Sequence, residues 1–369
     1  MSAYCVIALV VSLNIIDEAK QAILKGMRQL RALAKANIIG ATTGLFTTIP
    51  LYYMFGFDGI IPSLLIASIV ALFVSNYFVN KIGYDALQLP LHEIIKTATP
   101  MIKMGTALMA VTLIQYIVSL VIITFIRCKG GLEDVGLYNA GNVIINGYFG
   151  MIITALMTDY YPRIASVNND NEALQDELNK QSLVSLVLTC PMFVLFMALL
   201  PIFIQMLYTS EFIPAVQFVK WSIYFTLITA VSNQIDMIII VKFRPKIMLT
   251  LCIIIRFVQV LLSVVLYSIW GLEGLGIAYL LLGVLHLIMM SGTVYYLYRI
   301  RLSKQFIKVG CVVLFFAISS SLIQTSLDGY IYYFSSLLLF ILSMWYSLHT
   351  AKVMLSMDFL KIIINRIKR

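Results

Sequence analysis

The chain has 369 residues, of which 61% are hydrophobic and only 12% are charged, and its formal net charge is +9. Soluble domains contain about 25% charged residues, so this composition excludes a soluble globular protein and indicates a membrane protein. Apolar runs recur along the whole chain. Because hydrocarbon offers the backbone no hydrogen-bond partners, a run of about 20 such residues crosses the bilayer as a helix. We therefore predict an all-α polytopic membrane protein.

The sequence predicts neither an enzyme nor a cofactor. Five cysteines and three histidines are scattered along the chain, whereas disulfide frameworks and metal sites place such residues at defined spacings. The motifs GxxxxGK[ST], HExxH and GxSxG, which bind phosphates, bind zinc or present a nucleophile, do not occur. We expect no bound metal and no catalytic residues.

Eleven charge-poor segments, bounded by charges or by Gly and Pro, are predicted membrane spans. They are 1–16, 38–56, 60–79, 101–126, 138–158, 183–208, 214–241, 247–269, 275–298, 307–326 and 330–350. The connections and the tail on one side hold 22 of the 26 Lys and Arg residues, and such an excess marks the cytoplasmic side. We therefore expect a cytoplasmic C-terminus, and topology explains the positive charge without a nucleic-acid partner.

Two ten-residue stretches resemble each other at nearly every position: LYYMFGFDGI at 51–60 and LYSIWGLEGL at 266–275. Each contains an acidic residue between two glycines, and each falls on the outer side of the predicted topology. We interpret both as tight hairpins between helices, in which Asp58 and Glu273 stabilise the N-terminus of the following helix.

The repeated turn predicts two lobes of unequal length. GLEG joins the fifth and sixth spans of a six-helix lobe, whereas GFDG joins only the second and third spans of the chain. We therefore expect an N-terminal lobe that lacks its first three helices. The predicted divisions are 1–80 (three-helix remnant of the N-terminal lobe), 81–100 (cytoplasmic linker with Pro90 and Pro100), 101–299 (six-helix lobe) and 300–369 (two further helices and a basic tail).

A second long inner connection, 158–181, ends in a polar stretch with four carboxylates. A stretch of this kind between two apolar spans is typical of a solvated surface helix. We expect it to be a solvated loop helix.

Span 214–241 contains the best candidate for a functional surface. Five polar residues recur there at intervals of three or four and therefore share one helix face: Ser222, Thr226, Thr229, Asn233 and Asp236. Polar groups are costly in lipid, so this face contacts either neighbouring helices through hydrogen bonds or a hydrated translocation cavity. Asp236 needs a cation nearby, and Arg256 in the next span is one candidate partner, in a pair that is at least as readily structural as substrate-binding.

Other polar residues within spans form a weaker group. Three amides on one face of span 138–158 suit sugar hydroxyls or phosphate oxygens, and equally suit tight helix packing. Lys220 could attract a phosphate or extend its side chain to the membrane interface. Together the candidate substrate-pathway residues are Gln115, Tyr116, Asn139, Asn142, Asn146, Lys220, Thr229, Asn233, Asp236 and Arg256.

Three segments resemble the multidrug, oligosaccharidyl-lipid and polysaccharide exporter superfamily, whose fold is MATE-like. They are GLYNAGNVIINGYFGMIITALMTDYYPRIAS (136–166) with its tyrosine-proline motif, LYSIWGLEGLGIAYLL (266–281) and the basic LKGMRQLRALAKANIIG (24–40). The resemblance covers essentially the whole chain and is strongest to O-antigen translocases, the Wzx-type flippases. It implies a two-lobe helical bundle with about 14 transmembrane helices in the complete fold, of which about 11 are present here.

The resemblance also implies a function in polysaccharide and lipopolysaccharide biosynthesis. A flippase of this family moves undecaprenyl-diphosphate-linked repeat units across the bacterial cytoplasmic membrane by alternating access, and membrane lipids, a polysaccharide polymerase and glycosyltransferases are its expected partners. In the family, the first two helices of each lobe face the central cavity, which here corresponds to spans 101–126 and 138–158. Two rival functions stay open: a cation-coupled multidrug antiporter of the same superfamily, and an inactive membrane scaffold.

Overall fold

The computed structural model describes residues 2–82, 90–327 and 329–355, and the regular structure of these residues is helical throughout. The ten α-helices are α1 (Ser2–Gly26), α2 (Leu30–Phe55), α3 (Ile60–Ile82), α4 (Leu91–Val143), α5 (Gly150–Ser166), α6 (Asn171–Leu207), α7 (Ala215–Val241), α8 (Pro245–Tyr298), α9 (Lys304–Ser326) and α10 (Gly329–Leu355). The described residues contain no strand, which confirms the all-α prediction. Part of the linker 81–100 and most of the basic tail lie outside the described residues.

Seven helical stretches of the described chain are long and apolar enough to cross a membrane, so the protein is a multi-pass membrane protein. Helix α1, which contains most of the predicted span 1–16, is not one of them. Three of the seven are divided by a glycine with positive φ: Gly56 between α2 and α3, Gly131 within α4 and Gly271 within α8. A side chain would be strained in this conformation, so glycine sets the point where each pair of predicted spans is joined.

The two Gly-acid-Gly turns share a backbone design. The first glycine of each has positive φ, 55° at Gly56 and 59° at Gly271. The second approaches the chain so closely that a Cβ would overlap a backbone carbonyl oxygen, that of Leu51 beside Gly59 and that of Leu266 beside Gly274. Both glycines are therefore required, for two different reasons.

The acidic residues of the two turns have different surroundings. Asp58 is exposed. The Glu273 carboxylate instead binds two groups of α7, with its Oε1 lying 2.8 Å from Lys220 Nζ and 2.9 Å from Trp221 Nε1. The Glu273 side chain therefore does not cap its own helix through a hydrogen bond in the described structure; these neighbouring donors bind it and tie α8 to α7.

The chain forms two compact units, Met1–Ile94 and Ile95–Arg369. In the first unit, α3 packs against α1 and α2 around a small core of Leu24, Leu33 and Val79. The predicted boundaries at residues 80, 100 and 299 stay predictions. Pro100, which the sequence suggests as a boundary, lies inside α4.

In the second unit, α6 and α7 form the centre of the core. Most residues of α7 are buried, and Phe218, Ile223 and Ile238 are fully enclosed. Helix α7 packs along α8 and α6, while α9 and α10 pack against α6. Two tyrosine hydroxyls strengthen this packing by donating to helix backbones: Tyr224 to the Ala317 carbonyl and Tyr332 to the Ala198 carbonyl, at 2.9 and 2.8 Å.

Helix α6 is longer than the predicted span because the polar stretch before it is part of the same helix. Asp170 caps it by accepting hydrogen bonds from the backbone N–H groups of Glu172 and Ala173. In the first turns Leu174 and Leu178 are fully buried. The prediction of a solvated loop helix is therefore wrong for this face, which packs against the protein.

The ends of α6, α7 and α8 meet at Lys242, which follows α7. Its Nζ donates to the Asn168 carbonyl and, over 2.8 Å, to Asn171 Oδ1, and it lies 5.3 Å from the centre of the Tyr298 ring. Burial, together with the neighbouring Arg244, lowers the pKa of Lys242 from its ordinary value, and Asp170 opposes this shift.

Candidate functional site

A cavity of about 430 Å³ lies in the second unit among α4, α5, α7 and α8. Its walls are mostly apolar, and its polar lining consists of Thr154, Thr229, Asn233, Asp236, Cys252, Arg256 and His286. A concave, mainly apolar site with a few converging polar groups is typical of ligand pockets, which have volumes of about 300–1,000 Å³. This cavity is the candidate functional site.

The polar stripe predicted on α7 divides into two halves. Ser222 and Thr226 are buried in the protein, and Thr226 Oγ1 lies 3.5 Å from the backbone oxygen of Ser222. Thr229, Asn233 and Asp236 line the cavity. The two alternatives left open by the sequence therefore each describe one half: helix packing near the start of α7 and a polar cavity wall towards its end.

Asp236 is positioned by α8, but by a residue that the sequence did not indicate. Its Oδ2 lies 3.4 Å from Nε2 of His286, whose Nδ1 lies 3.1 Å from Ser232 Oγ. Among the described residues Asp236 thus contacts His286 and forms no ion pair with Arg256, so a direct Asp236–Arg256 pair is wrong, although the Arg256 charge still acts on Asp236. Arg256 does not pair with Asp236 because its guanidinium group binds an acceptor on its own helix, the side-chain oxygen of Gln259.

Arg256 extends from α8 into the cavity wall and is held by its own helix. Its Nη1 donates over 2.6 Å to Oε1 of Gln259, one helical turn away and buried. The positive charge of Arg256 interacts electrostatically with the side chains of Asp236, Cys252 and His286, which line the same cavity. No carboxylate of the described chain forms an ion pair with it. The cavity therefore presents a cation that can accept an anionic ligand.

The Asp236 carboxylate has unused hydrogen-bonding capacity. Its Oδ1 is buried, and within the described residues it has no hydrogen-bond partner. A buried polar atom without a partner costs about 1–3 kcal/mol, and such groups are commonly functional in a membrane protein. The cavity can therefore bind an anion at Arg256 and a donor or cation at Asp236.

The other candidate residues do not line this cavity. Lys220 is paired with Glu273. Asn139 and Asn146 are exposed, and Asn146 Nδ2 lies 3.5 Å from Asn142 Oδ1. Gln115 and Tyr116 are exposed on α4. The structure thus brings together Thr229, Asn233, Asp236 and Arg256, and leaves the remaining six outside the cavity.

Sequence reasoning missed His286 and Cys252 as cavity residues. His286 carried a usable signal, because an ionisable side chain inside an apolar span is a functional candidate by default. Cys252 carried none, since a single cysteine in an apolar helix is usually a small buried hydrophobe.

A buried polar network between α5, α6 and α7 also escaped the sequence analysis. Gln234, fully buried on α7, bonds Ser185 and, over 3.0 Å, Ser182 of α6. Nearby, Arg163 of α5 donates to Glu177 of α6 over 2.8 Å. Within the described residues the Gln234 side chain has its partners in the protein, so this network joins helices rather than facing a ligand.

Comparisons with known proteins agree with this architecture. A search of curated proteins found no match. Among solved structures, the lipid II flippase MurJ in its inward-closed conformation has a similar fold, with a TM-score of 0.58, 13% sequence identity, and coverage of 94% of this chain and 73% of that chain. The sequence model of the family described as "polysaccharide biosynthesis protein" matches residues 2–217. With more than half of its residues matched, the chain belongs to this polysaccharide biosynthesis protein family.

Proposed function

We propose that the protein is a flippase for undecaprenyl-diphosphate-linked repeat units of O-antigen or a related polysaccharide. Membership of a polysaccharide biosynthesis family and a fold shared with a lipid flippase support the class of function. The observation that carries the proposal is Arg256, a guanidinium without a carboxylate partner among the described residues, on a cavity of about 430 Å³. An anionic, polar head group needs such a site to leave the membrane surface.

In this proposal polar groups of the cavity bind the head group of the substrate. Arg256 binds diphosphate oxygens, since guanidinium matches phosphate geometry with paired hydrogen bonds. Asn233 and Thr229 exchange hydrogen bonds with sugar hydroxyls. The polyprenyl chain stays in lipid while the cavity faces each side of the membrane in turn. Binding is of moderate strength, because a head group bound tightly in both states would not be released.

The cellular setting follows from the same proposal. The protein acts in the bacterial cytoplasmic membrane with its C-terminus in the cytoplasm, because the Lys and Arg residues concentrate on that side. It receives lipid-linked repeat units from glycosyltransferases and delivers them to a polymerase. It moves its substrate without breaking a covalent bond and needs no cofactor.

The test is a flipping assay in inverted membrane vesicles. A labelled lipid-linked oligosaccharide is added to the exposed cytoplasmic face, and its protection from an added glycosidase reports arrival in the inner leaflet. We expect Arg256→Gln to lower the initial rate about 10- to 100-fold, the equivalent of a hydrogen-bonded charge of about 1.5–3 kcal/mol.

The matched control is Lys220→Gln, which removes a cation of the same unit that is paired outside the cavity. Its rate per folded protein should stay within about twofold of the wild-type rate. Absence of protection with the wild-type protein in vesicles that contain correctly folded protein would refute the flippase proposal. Equal losses in the two variants would show that Arg256 is not the head-group site.

A second candidate function is cation-coupled export of cationic drugs, and one observation favours it. The unpartnered Oδ1 of Asp236 could bind a cation in the cavity. The same vesicles separate the two functions when a cationic dye and a sodium or proton gradient replace the oligosaccharide. Gradient-driven dye uptake that needs Asp236, without oligosaccharide protection, would establish the antiporter and reject the flippase.

A further inference from the structure

A second cavity, of about 290 Å³, lies where α8 ends and the connection 299–303 begins. Its inner wall is apolar and includes Leu178 of α6, Ile235 of α7 and Val294 of α8, all of them buried. Arg301 and Tyr295 line the same cavity and introduce a charged and a polar group. The cavity is therefore amphipathic, with a dry wall and a cationic side.

Two guanidinium groups share the ring of Tyr295. The Cζ atoms of Arg301 and Arg299 lie 4.6 and 5.4 Å from the ring centre, and Arg301 Nη2 lies 2.7 Å from the Tyr295 hydroxyl. The aromatic ring attracts both cations, while two like charges gathered around one ring repel each other. In the part of the chain that the structure describes, no carboxylate forms an ion pair with either group. An external anion would relieve this repulsion.

Helix α6 fixes the backbone of this connection independently of the arginine side chains. The Arg301 N–H donates to Gln175 Oε1 over 2.8 Å, and the Arg301 carbonyl accepts from Asn179 Nδ2 over 3.3 Å. Asn179 Oδ1 also accepts from the Ser303 N–H over 2.8 Å. The cationic side of the cavity is thus held in place before any ligand arrives, which lowers the entropy cost of binding.

The cavity also offers a hydroxyl without a partner. Ser291 lines it, and the buried Ser291 Oγ has no hydrogen-bond partner among the described residues. A serine hydroxyl can donate to a phosphate oxygen. A ligand with anionic oxygens and an apolar portion would satisfy the hydroxyl, the guanidinium groups and the dry wall together.

The position of the cavity at the end of α8 indicates that its anionic ligand is a lipid head group. Helix α8 contains apolar sequence long enough to cross the membrane and ends at Tyr298, so we place Tyr295, Arg299 and Arg301 at the level of the lipid head groups. Basic pockets between helices at this level bind anionic lipid heads. We propose that this cavity binds an anionic phospholipid, with its phosphate at Arg299 and Arg301 and the start of an acyl chain along Leu178, Ile235 and Val294.

This lipid is distinct from the transported substrate, and the proposal holds whether or not the protein is a flippase. It differs from general attraction of a basic surface to a negative membrane, because a defined pocket retains one lipid in detergent. The wider positive charge, including Lys304 and Lys308 in α9, would attract many lipids without retaining any.

The test uses the purified full-length protein in neutral detergent. Phosphatidylglycerol or phosphatidylcholine is titrated in, and native mass spectrometry counts retained lipids while thermal unfolding is followed in parallel. We expect one retained phosphatidylglycerol, with phosphatidylcholine binding at least tenfold more weakly. Equal retention of the two lipids would overturn the proposal.

Two variants distinguish the pocket from the general positive charge. Arg301→Gln removes the guanidinium but keeps both backbone hydrogen bonds to α6, so the connection should remain in place. We expect it to weaken phosphatidylglycerol binding about tenfold, while the matched Lys308→Gln stays within about twofold. Equal effects of the two substitutions would refute the site. If Arg301→Gln does not fold, Ser291→Ala replaces it, and we expect that variant to weaken phosphatidylglycerol binding about threefold.

Inorganic phosphate forms the last arm of the experiment. At millimolar concentration it should neither raise the unfolding temperature nor displace the retained lipid, because it has nothing to place on the apolar wall. Displacement of the lipid by free phosphate would show a simple anion site and overturn the proposal.

Discussion

Helix α7 has two polar faces, and they are built in opposite ways. On the face towards α6, the side chain of Gln234 is fully buried and bonds two serines of the neighbouring helix. On the cavity face, Asp236 retains an oxygen with no hydrogen-bond partner among the described residues. Both are costly groups in lipid, yet only the first has its hydrogen bonds satisfied within the protein. The difference separates a residue that joins helices from one available to a ligand.

The same distinction appears along the cavity face itself. Near its start, Ser222 is fully enclosed, while Asn233 and Asp236 reach open space. Periodicity placed these residues on one stripe, but what each touches depends on whether α4, α5 and α8 approach α7 at that level. Substitutions on the two faces should therefore have effects of different kinds.

The largest effect is expected at Asp236. Asp236→Asn keeps the shape of the side chain but replaces a carboxyl oxygen, an acceptor that the cavity offers to a sugar hydroxyl, with an amide group, so we expect the flipping rate per folded protein to fall about 10- to 100-fold. Folding should change little, because the carboxylate makes one long contact, of 3.4 Å, with His286. The vesicle assay gives the rate, and thermal unfolding of the purified protein gives the stability.

The control for this prediction is Asp159→Asn, which removes an exposed carboxylate paired with Arg163 on α5. An exposed ion pair contributes about 0–1 kcal/mol, so neither rate nor stability should change measurably. A parallel loss of folded protein and transport in Asp236→Asn would mean that both faces of α7 are structural.

A smaller effect, of the opposite kind, is expected at Gln234. Gln234→Leu removes two side-chain hydrogen bonds to α6, and such bonds between membrane helices contribute about 1–2 kcal/mol together. We expect a lower unfolding temperature and less folded protein, with an unchanged flipping rate per folded molecule. Measurement of both quantities on the same preparation checks the prediction.

Gln324→Leu is the matched control on α9. The Gln324 Nε2 is buried, and the described residues offer it no hydrogen-bond partner, so the same substitution there should leave stability unchanged or raise it. If the two variants lose stability equally, the loss reflects the removal of an amide and not the contact of α7 with α6.

The smallest effect is expected at Ser222. The Ser222 hydroxyl is buried without a partner in the described structure, so Ser222→Ala should leave the free energy of unfolding unchanged or raise it, and should leave transport intact. A clear loss of transport, measured in the same vesicles, would extend the functional face of α7 beyond the cavity.

The sequence was sufficient for features that depend on local pattern. Hydrophobic runs located the helices that can cross a membrane, with the exception of run 1–16 in α1. The spacing of Thr229, Asn233 and Asp236 placed them on one face. The paired glycines of GFDG and GLEG marked turns because their backbone geometry excludes side chains. Membership of the polysaccharide biosynthesis family also followed from residues visible in the chain.

Features that depend on neighbouring helices were not accessible in this way. Whether Asp236 meets Arg256 or His286 is decided by the rotation and depth of α8 beside α7, which no periodicity within one helix fixes. The same holds for Gln234, whose partners are 49 and 52 residues away in sequence. The polar start of α6 led to a wrong prediction of a solvated helix. Its charged residues favour contact with water, but its apolar residues Leu174 and Leu178 are buried against the protein.

Helix α6 has a consequence of its own. At 37 residues it is about 55 Å long, well beyond the hydrocarbon thickness of about 30 Å, and it continues through two internal prolines, Pro191 and Pro201. Inside the membrane it packs against α7, and at its polar end Gln175 and Asn179 grip the connection before α9. One continuous helix therefore links the packing against α7 inside the membrane to residues 299–303 at the level of the lipid head groups.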